Sequence, residues 1–145
     1  MRLQDMYSVI VTAHHRACRD FYTRWFGATV AFEASWFVLL ALPGEPARSV
    51  AFMAPDHPST PPGPEVFNGA GVFLTFQVAD AAAEFSRLAQ AGATFAYPLR
   101  DEAWGQRRFA LRDPAGCWVD VVEQTEPAPG FWDPYVPSLP GPSAP

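Results

Sequence analysis

Gly27-Ala28-Thr29-Val30-Ala31-Phe32 returns 65 residues later as Gly92-Ala93-Thr94-Phe95-Ala96-Tyr97. Four of the six positions are identical, and the other two exchange one apolar residue for another. Each copy opens with the residue that most readily ends a helix by adopting positive φ. Each also follows a helical pattern. His15–Phe26 sets Ala17 or Cys18, Phe21, Tyr22 and Trp25 along one apolar stripe, and Ala81–Ala91 buries Phe85, Leu88 and Ala89 behind an Asp80 N-cap. A strand is predicted ahead of each helix, at Met6–Val11 and Val72–Val78. Three follow each helix: Thr29–Glu33, Trp36–Ala41 and Ser49–Met53, then Thr94–Tyr97, Gln106–Arg112 and Trp118–Gln124. The chain is therefore read as α+β, two βαβββ modules in tandem forming a curved mixed sheet with a concave pocket. The modules span residues 1–55 and 70–124, with a proline-rich linker at 56–69 and a proline-rich tail at 125–145.

Composition narrows the function. The net charge is −5 and no basic stripe is present, which argues against nucleic acid. No run is long and apolar enough for a membrane span, and the first residues lack the apolar core of a signal peptide. Cys18 and Cys117 are the only cysteines, in no metal-knuckle or disulfide pattern, so a reduced cytoplasmic protein is expected. The 12 Phe, 5 Trp and 4 Tyr supply a core or an aromatic-lined pocket.

Asp113-Pro114-Ala115-Gly116 reads as a tight turn. Asp bonds its own backbone two residues on, Pro sets φ, and Gly accepts positive φ. In the strand that follows, Trp118, Asp120 and Val122 share one face. Asp120 is then either a buried acid facing a ligand or an exposed edge residue. Taking the strand positions that face away from the helices, the concave side should hold Tyr7, Val9, Val38, Ala51, Phe73, Thr75, Gln77, Phe109 and Asp120. Trp36 and Trp104 stand near the mouth. Arg107 is placed to pair with Asp101 or Glu102 and, alternatively, to touch a ligand.

Two βαβββ units, the Phe21-Tyr22…Phe26-Gly27 helix end, and Trp104-Gly105-Gln106-Arg107…Asp113-Pro114-Ala115-Gly116 before the last strand together resemble the vicinal-oxygen-chelate superfamily. That group includes glyoxalase I, extradiol dioxygenases, fosfomycin-resistance enzymes and bleomycin-resistance proteins. The chain departs from its pattern with His14 at the first helix cap and Cys117 after the turn. In metal-dependent members, the resemblance places donors where this chain has Tyr7, Ala51, Phe73 and Asp120. Only Asp120 is a good ligand, whereas a divalent ion needs about three protein donors or more. The resemblance therefore implies a metal-independent, cofactor-free binding protein of the bleomycin-resistance type, and a homodimer with pockets at or near the interface.

The expected ligand is a small planar or hydrophobic molecule, such as an antibiotic or related metabolite, with Asp120 favouring a cationic group. Two rivals stand beside this. One is an enzyme, either a metal-dependent lyase or dioxygenase or a cofactor-free isomerase using Asp120 as base. The other is a structural dimer whose pocket has closed. His14 and His15 read as solvated helix-start residues, Cys18 as a buried hydrophobe and Cys117 as a turn residue. For Gly130–Val136 the alternatives are a disordered end and an aromatic segment packed on the partner or over the pocket mouth.

Overall fold

A computed structural model describes residues 1–137, so the last eight residues of the expected tail lie outside the described residues. Ten elements follow in order: β1 (Ser8–Val11), α1 (His15–Phe26), β2 (Thr29–Ala34), β3 (Phe37–Leu42), β4 (Arg48–Met53), β5 (Leu74–Gln77), α2 (Ala81–Gln90), β6 (Tyr97–Glu102), β7 (Gln106–Arg112) and β8 (Trp118–Gln124). The strands make two four-stranded sheets of identical topology, β1-β4-β3-β2 and β5-β8-β7-β6. In each, the outer first strand runs parallel to the last and the remaining pairs are antiparallel. This is the expected tandem duplication. Among the described residues no helix is long and apolar enough to cross a membrane.

The repeated hexamer has a structural cause. Gly27 sits at φ 66°, and its N–H and that of Ala28 both reach the carbonyl of Tyr22, closing α1. Gly92, at φ 86°, follows α2 in the same way, with the Ala93 N–H returning to Leu88. The two helices start differently. Asp80 accepts from the Ala83 N–H at 2.9 Å, and Glu123 of β8 accepts from Ala81 at 3.0 Å. His14 caps α1 in position only, with no side-chain bond. Asp80→Ala should therefore cost about 1 kcal/mol in chemical denaturation, and His14→Ala close to nothing.

Both sheets turn their helix-side residues inward. One core joins Ile10, Val38, Leu40, Val50 and Phe52 of the first sheet to Tyr22 of α1 and Val119 of β8, with Leu74 and Phe76 of β5 packed against it. A second gathers Leu88, Phe109, Leu111 and Val121, and Phe21 and Phe26 of α1 touch both cores. Helix α1 thus joins the modules, its rings stacking on Phe52 at 5.3 Å (Tyr22) and edge-on to Phe76 at 5.1 Å (Phe26). The shared core lies on the helix sides of the two sheets, and their opposite faces take no part in it.

Two phases of the strand alternation need correcting. Val38 and Phe109 are fully buried on the helix side and do not lie on the concave face expected for them. Val38 packs beneath α1, while Phe109 meets Phe85 at 5.4 Å and Phe95 at 5.7 Å. The predicted strand at Thr94–Tyr97 also begins later, at Tyr97, and runs on to Glu102. The linker is tied down in part: the Phe67 N–H donates to the Val11 carbonyl at 2.9 Å, and the Phe67 ring packs on the first core.

Candidate functional site

The Asp113 turn fixes the start of β8. One Asp113 oxygen accepts from the N–H groups of Ala115 and Cys117, both at 2.9 Å, and the other accepts from the Tyr22 hydroxyl at 2.7 Å. Burial pushes this carboxyl above its ordinary range, against the lowering effect of those three hydrogen bonds. The neighbouring thiols follow the same logic. Burial raises Cys18 well above normal and pushes Cys117 up to about 11, so both stay protonated and unreactive.

From that turn β8 runs through the interior of its sheet, between β5 and β7, which removes the edge reading of Asp120. Register then sets the outward face. Thr75, Asp120, Ala110 and Tyr97 form one row across β5, β8, β7 and β6; Gln77, Val122, Arg108 and Arg100 form the next. Asp120 is 4 % exposed. Above it lies Arg108, whose Nη1 approaches the two Asp120 oxygens at 3.4 and 3.3 Å and whose Nε approaches Glu102 at 3.4 Å. The guanidinium is sandwiched between Tyr97, 4.8 Å from the ring centroid, and Trp104, at 5.1 Å. The Tyr97 hydroxyl in turn donates to Glu102 at 2.6 Å, and Trp118 stands 6.0 Å from Tyr97.

Trp104 is held from behind. Its indole N–H donates to Gln106, and its carbonyl accepts from the Trp132 indole at 2.9 Å. The segment after β8 doubles back along the β6–β7 turn: Thr125 N–H bonds Gly105 O and Ala128 N–H bonds Ala103 O, each at 2.8 Å. Phe131 then comes within 6.4 Å of the Trp104 ring. A side chain at Gly105 would put a Cβ 2.8 Å from the Thr125 carbonyl, so the tail and the turn fit only with glycine there. Within the chain, the rings of Gly130–Val136 pack against Trp104 and one another.

The outward face of the second sheet thus brings together Thr75, Gln77, Trp104 and Asp120 from the expected set, with Phe73 two residues before Thr75 and 58 % exposed. Val9 belongs to the other sheet, with Tyr7 just ahead of its first strand, and there Val9, Ala51, Leu39 and Phe32 make an apolar row. Trp36 packs there against Phe37 and His57. Arg107 points away and pairs with Asp101 at 2.6 Å. Arg108, Tyr97 and Glu102 join Asp120 on the second sheet and lie outside the expected set. A cavity of about 760 Å³ lies elsewhere, between Phe26, Leu42 and Pro43 of the first module and Arg87 of α2. It shares only Thr75 and Gln77 with the expected set, and of its ionic groups Arg48, Glu84 and Arg87 the last two pair with each other at 2.8 Å. The convergence of acid, guanidinium and rings singles out the outward face instead.

The sequence model of the Glyoxalase/Bleomycin resistance protein/Dioxygenase superfamily matches residues 5–121. The chain belongs to this superfamily. Among solved structures it is similar to a glyoxalase/bleomycin resistance protein/dioxygenase from Nocardioides, with 22% identity, 90% of this chain and 89% of that one covered, and a TM-score of 0.70. A lactoylglutathione lyase from Agrobacterium tumefaciens shows 16% identity, coverage of 84% and 95%, and a TM-score of 0.65. TioX from Micromonospora sp. ML1 shows 21%, 84% and 99%, and 0.59. At these identities the likeness is one of fold. No curated protein matches the chain in sequence.

Within the superfamily frame, the four places that would hold a metal carry Tyr7, Ala51, Phe73 and Asp120. Two have no donor atom, and Asp120 is engaged by Arg108. Among the described residues no group of three His, Cys, Asp or Glu side chains comes together around a point that could hold an ion. Within one chain these four positions bring fewer donors together than the roughly three that a divalent ion needs.

Proposed function

We propose that this superfamily member is a metal-independent binding protein for a small planar, hydrophobic molecule, an antibiotic or related metabolite, held on the outward face of the second sheet. The observation that carries this reading is the cluster of Tyr97, Trp104 and Trp118 around the Arg108–Asp120 pair. Ring-on-ring contact contributes about 0.5–1.5 kcal/mol per pair beyond area burial. Thr75 and Gln77 add neutral hydrogen-bonding groups beside it.

In a single chain Arg108, Tyr97 and Trp104 cover Asp120, but Phe73, Thr75 and Gln77 beside them are exposed. The proposal therefore includes a homodimer in which the apolar outward row of one copy's first sheet covers the polar, aromatic face of the other's second sheet. Exposed Tyr7 (45 %), Val9 (43 %) and Phe32 (57 %) support this pairing, since contiguous exposed apolar patches of this kind mark interaction sites. Two buried free thiols suit a reducing compartment, and we place the protein in the cytoplasm.

The test is Trp fluorescence titration with a panel of planar aromatic compounds, alongside sedimentation of the purified protein. Micromolar quenching that is largely lost in Trp104→Phe, from a protein that sediments as a dimer, is expected. No quenching by any compound up to its solubility limit would sink the reading. The rival enzyme using Asp120 gains ground if the purified protein carries a stoichiometric divalent ion that Asp120→Ala loses.

A further inference from the structure

Resting on that binding reading, the structure carries the ligand's chemistry a step further: we infer that Arg108 is the ligand's polar anchor, and that the molecule presents to it a carboxylate or carbonyl oxygen conjugated to its planar ring. The sequence alone pointed to a cationic group drawn by Asp120. The geometry reverses that.

Asp120 is not an unanswered acid. Both of its oxygens face Arg108 Nη1, Glu102 faces Arg108 Nε, and Arg100 stands opposite Arg108 across the β6–β7 pair, two positive charges beside two negative. A cation entering this face meets no unmatched carboxylate and meets two guanidinium groups. An oxygen acceptor meets a donor in waiting. Arg108 uses Nε and Nη1 on its two carboxylates, and among the described residues Nη2 makes no hydrogen bond. The bonds it does make are long, 3.3–3.4 Å, against about 2.7–2.9 Å for a well-formed charge-assisted bond. Its attachments are therefore loose enough to be shared with an incoming oxygen.

Its position is nonetheless fixed. Tyr97 and Trp104 clamp the guanidinium from two sides, with the Tyr97 hydroxyl anchored on Glu102 and the Trp104 indole on Gln106. A guanidinium so held is a pre-organised planar fork, the geometry that recognises carboxylate and carbonyl oxygens, and little rotamer freedom remains to be lost when it binds. The side chain is 20% exposed, which leaves an approach from the outward side. A ring carrying the acceptor would then lie beside Trp118, at the edge of the Tyr97–Arg108–Trp104 cluster and coplanar with the oxygen it presents.

The test uses three probes on one skeleton: 2-naphthoate, 2-acetonaphthone and 2-naphthylmethylammonium, titrated into the full chain and followed in proton–nitrogen correlation spectra. The expected order is naphthoate, then the ketone, then the ammonium, with about tenfold or more between first and last. Arg108→Gln should cut naphthoate affinity about tenfold while changing ammonium binding little or strengthening it. Because Arg108→Gln leaves Asp120 unpaired, the double variant Arg108→Gln/Asp120→Asn is measured beside it and should show the same loss of naphthoate. The wild-type ranking needs no variant at all. Equal affinities, or tightest binding of the ammonium, would overturn the acceptor class while leaving the binding reading standing. Binding by none of the three, together with none by the fluorescence panel, would overturn both.

Discussion

Phe109→Ala is expected to destabilise the protein by about 3–5 kcal/mol, while Phe73→Ala costs under about 1 kcal/mol. The two residues were read from sequence as companions on one pocket wall. Phe109 is in fact fully buried among Phe85, Phe95 and Leu88, and deleting its ring leaves a cavity that α2 and the sheet cannot close without breaking other packing. Phe73 is 58 % exposed, and its loss removes little from the interior. Urea denaturation of both variants decides the matter. A mild Phe109→Ala and a severe Phe73→Ala would mean that the face of β7 has been assigned the wrong way round, and Arg108 with it.

The second large effect belongs to Asp113. Asp113→Ala should cost about 3 kcal/mol or more, since it strands the Tyr22 hydroxyl and the N–H groups of Ala115 and Cys117 in a buried place, at about 1–3 kcal/mol for each group left unsatisfied. Asp113→Asn restores an acceptor for the two N–H groups and should recover much of this. The pH dependence carries a sign. Burial holds the folded carboxyl above its ordinary value of 3.8, so its contribution is fully favourable below that pH and is lost as pH rises through the folded value. Tyr22→Phe removes a hydrogen bond that lowers the carboxyl, and should both weaken the fold and extend the loss to higher pH. Asp113→Asn should flatten this part of the profile. Denaturation midpoints across the acid and neutral range provide the check. An Asp113→Asn profile that parallels wild type would show that another group is responsible.

How much of this was readable beforehand depended on what each stretch had to contrast. Helix α1 and strands β7 and β8 have their expected bounds, because glycine, the Asp-Pro turn and a clear apolar stripe mark them. The phase of β3 was not legible: Phe37-Val38-Leu39-Leu40-Ala41-Leu42 is apolar at every position, so alternation offers no vote. In β7 the alternation was present but assigned backwards. Phe109 and Leu111 are the apolar pair that the core takes, and Arg108 just before them is the outward residue. Strand β6 was hidden by composition. Pro98 and the charged run Arg100-Asp101-Glu102 look like a loop, and are tolerated because β6 is the outermost strand of its sheet. That single misplacement concealed Tyr97 and Glu102 as neighbours of Arg108. The ion pair over Asp120 was beyond reach for another reason: it depends on which residues stand opposite each other across three strands, which no local pattern encodes.

Gly105 has a consequence that reaches past its own turn. The contact it permits ties whatever follows β8 to the loop carrying Trp104, and Trp104 is one jaw on the Arg108 guanidinium. The stretch from Thr125 to Val136 contributes no strand to either sheet and little to the two cores, so it is free to vary without unfolding the protein. Selection could therefore adjust what the chain prefers to hold by rewriting this appendix, leaving the duplicated scaffold untouched.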